Sequence, residues 1–290
     1  MKRFLLMMIS LSVIYLFIST DKTTTKVAHT HSTTHPLLIK KSIKSTREDF
    51  FQSSAASLLP PLLEASYPAP TEWGLDVTGV KNSLSTEQKV VALTFDACGS
   101  TTGNGYDEEL MTYLIQENIP ATLFLNQRWI QANQEIFTSL AEHPLFEIEN
   151  HGTHHRPLST AGQSAYGIPG TNSPEEVLEE VMSNHRYIAE LTGREPKFFR
   201  SGTAHYDEVA VGLLGALGLQ VVNFDLNGDA GATFSSQQVE NSLLQAQPGS
   251  IAILHMNQPE SETAEGIQLA VPKLRDQNYT FVKLEDYPLQ

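Results

Sequence analysis

The sequence predicts an α/β domain on a parallel sheet, arranged as a barrel or a doubly wound layer. Three observations point there. Short β-branched and aromatic runs alternate with helical stretches from Lys89 onward. The runs are apolar at successive positions, the pattern of strands buried on both faces. No repeat of fixed period accompanies them, which argues against a solenoid or propeller.

The elements follow in order. VVALTF (residues 90–95), ATLFLN (121–126), LFEIEN (145–150), KFFR (197–200), QVVNFD (220–225), SIAILH (250–255) and TFVKL (280–284) make about seven strands. Between the third and fourth, SPEE at Ser173–Glu176 predicts a capped helix start with Pro174 at its first position, and Gly193 a helix end. Asp107 in YDEEL suits a helix N-cap, and Trp129 in NQRWIQAN suits helix packing. Arg156–Ser173 is a long Gly/Ser/Pro segment of the kind that covers a functional mouth.

The chain ahead of these elements differs in character. Met1–Thr20 carries Lys2 and Arg3 before an apolar run from Phe4 to Ile18, so residues 1–20 are expected to be a secretory signal or an N-terminal anchor. That places the protein outside the cytoplasm, secreted or periplasmic and possibly anchored, with no membrane span beyond this segment. Residues 21–70 are expected to be a flexible linker, and 71–290 the folded domain. His29, His31 and His35 in the Thr-rich part have a metal-sequestering alternative.

Charge and cysteine usage exclude other classes. The net charge is −14, and Met1–Arg47 is positive by about 7, leaving about −21 on the remainder. A surface that acidic repels nucleic acid. Cys98 is the single cysteine, so an internal disulfide and a multi-cysteine zinc site are both excluded. Cys98 is read first as a small packing residue, although a thiolate binds zinc well.

In parallel α/β folds the carboxyl ends of the strands converge on one mouth. Here those ends carry Asp96, His151, Arg200, Asp225 to Asp229, and His255. His151 and His155, four residues apart, can aim both rings at one divalent cation, while His154 points elsewhere. No G-x-S-x-G elbow accompanies them, which disfavours an acyl-enzyme route.

TFDAC at Thr94–Cys98, HGTHH at His151–His155, the arginine of FFRSG, and IAILH at Ile251–His255 resemble, in order and spacing, the motifs of polysaccharide deacetylases, carbohydrate esterase family four. The resemblance spans roughly residues 88–286. It implies a distorted (β/α) barrel and metal-dependent removal of acetyl groups from an acetylated glycan, with a divalent metal, zinc foremost. Carried over residue by residue, it implies Asp96 as general base, His151 and His155 as metal ligands, and Arg200 as the holder of the base carboxylate. His255 corresponds to the general acid, Asp229 to the aspartate orienting it, and Leu254 to the leucine of the acetyl-methyl pocket. Tyr166, in the long loop, is a candidate for stacking on a sugar.

The chain departs from the family where a second aspartate, itself a metal ligand, follows the base: Ala97 stands there. The third ligand is then open, Asp96 and His205 being the leading candidates, with Asp107 and Cys98 behind them. Gly152 replaces a Ser or Thr, and DLNGDAGAT lacks a tryptophan after the orienting aspartate. A non-catalytic glycan-binding barrel and an amidase on a non-sugar C–N bond are the alternatives.

Overall fold

The computed structural model describes residues 54–100 and 103–290. The expected signal or anchor at 1–20 lies outside them, as does the linker up to residue 53. No helix among the described residues is long and apolar enough to cross a membrane.

All seven predicted runs contribute strands to an eight-stranded sheet. They are β1 (Val90–Ala97), β2 (Ala121–Leu125), β3 (Phe146–Asn150), β4 (Phe198–Phe199), β5 (Gln220–Val221), β6 (Leu226–Asn227), β7 (Ser250–His255) and β8 (Thr280–Val282). β6 is the addition, formed where the chain re-enters the sheet just after the fifth run. Every pairing is parallel and the order is β6-β7-β1-β2-β3-β4-β5, with β8 beside the first half of β1. The end strands β5 and β6 are separated in sequence only by Val222–Asp225, so the sheet must curl until its edges are neighbours. The result is the distorted barrel the resemblance implies.

Seven helices follow the strands: α1 (Glu108–Gln116), α2 (Gln127–Ala132), α3 (Gln134–Glu142), α4 (Pro174–Thr192), α5 (Glu208–Ala216), α6 (Ser236–Leu243) and α7 (Thr263–Asp276). α4 begins as predicted: Ser173 accepts a hydrogen bond from the Glu176 amide at 3.3 Å. Glu176 reaches one residue further back than in a full capping box and binds the Asn172 amide at 3.2 Å. Gly193 closes the helix at φ +71°, a left-handed turn that glycine adopts without strain.

The two faces of the sheet have different jobs. Val91, Leu93, Phe95 and Ala97 of β1 face the helices and join one large apolar cluster with Leu110, Leu114 and Ile267. Val90 and Ala92 face inward, in a smaller cluster with Phe124 and Ile251. Side chains alternate along a strand, so the inward positions of β1 continue through Thr94 to Asp96. β7 obeys the same rule: Ala252 and Leu254 pack outward, whereas Ile251, Ile253 and His255 face in.

The folded unit begins earlier than residue 71. Ser54–Glu64 is helical, Leu59 and Leu62 pack against the cluster around α5, and the Tyr67 hydroxyl donates to the Leu62 carbonyl at 2.8 Å. The expected linker therefore ends before these residues, because Leu59 and Leu62 have a surface to cover.

Candidate metal centre and active site

The barrel's register delivers the site. His255 is the partner of Asp96 across β7 and β1, and Asn150 is the partner of Phe199 across β3 and β4, so His151 and Arg200 leave the sheet side by side. Asp96 and His255 line one cavity of about 450 Å³, with His155, Tyr166 and Ile253 also on its wall.

Arg200 organises the floor. Its side chain is fully buried, and the guanidinium donates to Asp96 Oδ1 (2.8 Å), Thr94 Oγ1 (2.9 Å), the Val222 carbonyl (3.2 Å) and the Asn223 carbonyl (2.9 Å). It also lies 4.2 Å from the centre of the Phe124 ring. Burial alone would push Asp96 toward its neutral form; Arg200, then His151 and His255, outweigh it and hold the carboxyl below its ordinary value. Asp96 is thus ionised and fixed at one oxygen, with Oδ2 3.6 Å from His151 Nε2.

His255 and Asp229 form a pair. Asp229 Oδ1 lies 2.9 Å from His255 Nδ1, and Oδ2 accepts from the His255 amide at 2.7 Å and the Thr263 hydroxyl at 3.1 Å. With Nδ1 engaged by Asp229, His255 lines the cavity beside Cys98. Burial disfavours the imidazolium, but Asp229 and the Cys98 thiol more than compensate, raising His255 well above its usual range. A histidine pushed toward its imidazolium, opposite an aspartate held toward its carboxylate, offers an acid and a base across one mouth.

The histidine loop is assembled by buried acids and amides. The Asn126 side chain donates to the His151 and Gly152 carbonyls at 3.0 and 2.8 Å. Glu180 of α4, itself buried, accepts from the Thr153, His154 and Arg156 amides at 3.0–3.2 Å. Its carboxylate lies where a side chain on residue 152 would go: a Cβ there would come within 2.5 Å of Oε1, at φ +77°. That explains the glycine in HGTHH. Glu180 was invisible to motif reading, although it shares a helix face with buried Val177, Val181 and Asn184.

His151 Nδ1 lies 2.9 Å from the Arg200 carbonyl, and a carbonyl can only accept, so Nδ1 carries a proton and Nε2 is turned toward Cys98 Sγ (3.8 Å) and Asp96 Oδ2 (3.6 Å). His155 Nε2 is buried and has no hydrogen-bond partner. The two rings stand 5.0 Å apart, edge to face, and His154 is exposed. Ligand atoms of His151, His155 and Cys98 all lie within 4.8 Å of one another, and this is the metal-competent group among the described residues. An orphaned imidazole nitrogen, a second with its tautomer fixed, and a sulfur beside them fit a borderline divalent ion such as zinc.

Several sequence expectations are revised by this geometry. His205 stands apart from the group: its Nδ1 contacts the Thr203 carbonyl at 2.7 Å, and its ring sits between Trp73 (5.8 Å) and Tyr166 (5.2 Å). Asp107 caps α1, accepting from the Leu110 amide at 2.9 Å. Asp225 secures β7 through Ser250 and Ile251. Leu254 is fully buried among the outer core, and Ile253, on the inward face, lines the cavity in its place. Cys98 is not packed away but faces His151 Nε2 at 3.8 Å. Tyr166 is exposed at the cavity edge, in a tight turn with Gly167 where both have positive φ.

Residues 83–222 match the family described as polysaccharide deacetylase. Over this stretch the chain carries a polysaccharide deacetylase domain. Among its relatives is the peptidoglycan-N-acetylmuramic acid deacetylase PdaA of Bacillus subtilis, 22% identical over 70% of this chain and 72% of that protein. Two solved structures share the fold. One is a family 4 carbohydrate esterase pseudoenzyme from Bacillus anthracis (TM-score 0.59, 20% identity, 78% of this chain and 70% of that one). The other is a family 4 acetyl xylan esterase from Clostridium thermocellum in complex with a cobalt ion (TM-score 0.56, 22% identity, 68% of this chain and 89% of that one). That esterase holds a cobalt ion, and PdaA is named for deacetylating peptidoglycan.

Proposed function

We propose that this chain is a metal-dependent deacetylase of an acetylated amino-sugar polymer, acting outside the cytoplasm on cell-wall glycan. The observation that carries the reading is the placement of Asp96 and His255 at one register across β1 and β7, beside a buried His155 Nε2 that has no hydrogen-bond partner. A glycan binder has no use for that pair.

When bound, a divalent metal supplies polarisation of the acetyl carbonyl and acidification of a water. The chain does the rest. Asp96 Oδ2 takes the proton from the attacking water, while Arg200 holds Oδ1 and keeps the carboxylate charged. His255 Nε2 delivers a proton to the departing amine nitrogen, and Asp229 at Nδ1 keeps the ring oriented and the imidazolium stable. Ile253 offers an apolar wall for the acetyl methyl group. Tyr166, with His205 behind it, offers an aromatic edge on which a sugar ring packs. His151 and His155 hold the metal.

Acetate release from peptidoglycan, chitin oligomers and acetylated xylan tests this. Release is expected from the metal-replete protein, to stop with chelator, and to fall by about 10²–10⁴ in His255→Ala with metal content unchanged. The second reading, a non-catalytic glycan binder, is favoured by the Ala97 departure and by the pseudoenzyme that shares the fold. It replaces the first if no substrate yields acetate and His255→Ala binds glycan as tightly as the parent.

A further inference from the structure

We infer that Cys98, as a thiolate, is the third protein ligand of the metal, making a Cys-His-His centre where the resemblance implies Asp-His-His. The inference rests on the metal-dependent reading above.

Strand parity comes first. Asp96 faces the lumen and Ala97 packs outward among Phe95, Leu114 and Trp129, so the next side chain free to point inward is that of Cys98. Just beyond, Gly99 has φ +64°, and a Cβ on it would fall 2.5 Å from the Trp129 amide nitrogen. The turn that presents Cys98 is therefore pinned against α2.

Distance and partnership agree. Cys98 Sγ lies 3.8 Å from His151 Nε2. A sulfur and a nitrogen sharing one tetrahedral zinc, with bonds of about 2.3 and 2.0–2.1 Å, stand about 3.6 Å apart. All three ligand atoms fall within 4.8 Å of one another, a set that includes neither Asp96 nor His205. The buried His155 Nε2 lacks any hydrogen-bond partner, and a buried imidazole nitrogen left so is costly unless something else occupies it.

A thiolate carries the same single negative charge as the carboxylate it replaces, so the net charge of the ligand set is unchanged. It is, however, a soft donor. The centre should take zinc, cobalt(II) or iron(II) and reject magnesium and calcium. Asp96 is released from any ligand duty and keeps its proton-transfer role.

The test is spectroscopic. The full chain, stripped of metal and titrated anaerobically with cobalt(II), should develop a near-ultraviolet thiolate-to-cobalt charge-transfer band that saturates at one equivalent. Cys98→Ser should lose the band, and Cys98→Asp should bind one cobalt without it. One bound equivalent with no band in the parent overturns the assignment, independently of how any variant folds. So does retention of cobalt by Cys98→Ser with its loss from Asp96→Asn, which makes Asp96 the ligand. The two proposals fail separately: a band without acetate release removes the enzymatic reading, and acetate release by an ion bound without the band removes this one.

Discussion

Asp96 is a buried carboxylate that stays charged because a buried guanidinium, satisfied by four acceptors, is bonded to one of its oxygens. Removing one partner of such a pair strands the other, at a cost of about 3–5 kcal/mol. Arg200→Gln is therefore expected to destabilise by that order in denaturant unfolding. It should also move the acid limb of the kcat/KM profile to higher pH, since burial then acts on Asp96 with less opposition. In the parent, the stability contributed by this depressed carboxyl is present above the ordinary 3.8 and is lost as pH falls through the folded value. The charged residues were legible because each sits at a strand end. Cys98 was read first as packing and Ile253 was not assigned, yet parity contained both: once Asp96 and His255 are inward, Ala97 and Leu254 must be outward.

At the scale of elements, the loop from Gly152 to Arg156 owes its shape to α4 rather than to its own residues. Gly152→Ala puts a methyl group against the Glu180 carboxylate, which cannot swing away without abandoning the amides of Thr153, His154 and Arg156. We expect a loss of about 1–3 kcal/mol and weaker zinc binding by competition titration, because His155 is moved with the loop. The helix caps that frame this region were readable locally, since Ser173, Pro174 and Gly193 act on near neighbours. The Glu180 contact was not, because it joins residues 24–27 positions apart and carries no motif of its own.

Across the whole molecule, the lumen is polar at both ends. Opposite the mouth, Glu147 and Glu149 face inward near a second cavity of about 580 Å³ bordered by Lys197 and Glu285. Burial is the main cause that pushes Glu147 up to about 7, against the hydrogen bond from Thr122, and Glu149 is raised well above its usual range. The folded state so holds a proton that the unfolded chain releases above 4.5, and stability present below that value is lost as pH rises through about 7. Glu147→Gln should flatten that decline, measured as the pH dependence of the unfolding midpoint. The parallel sheet was legible from apolar runs, but β6 was not, as two residues beside the seam of a curled sheet have no period to read.

The rim of the mouth is built partly from outside the recognisable family domain. Trp73 and Gly74 pair antiparallel with Tyr206 and Asp207, and the Thr71 and Glu72 amides bind Glu208, so a segment lying before residue 83 forms the wall behind His205 and brings Leu75 to the cavity. Truncating the chain just ahead of residue 83 would therefore preserve every ionisable group of the centre while stripping away the wall that a long substrate meets first. Reagents small enough to ignore that wall would report an intact enzyme, and polymers would not.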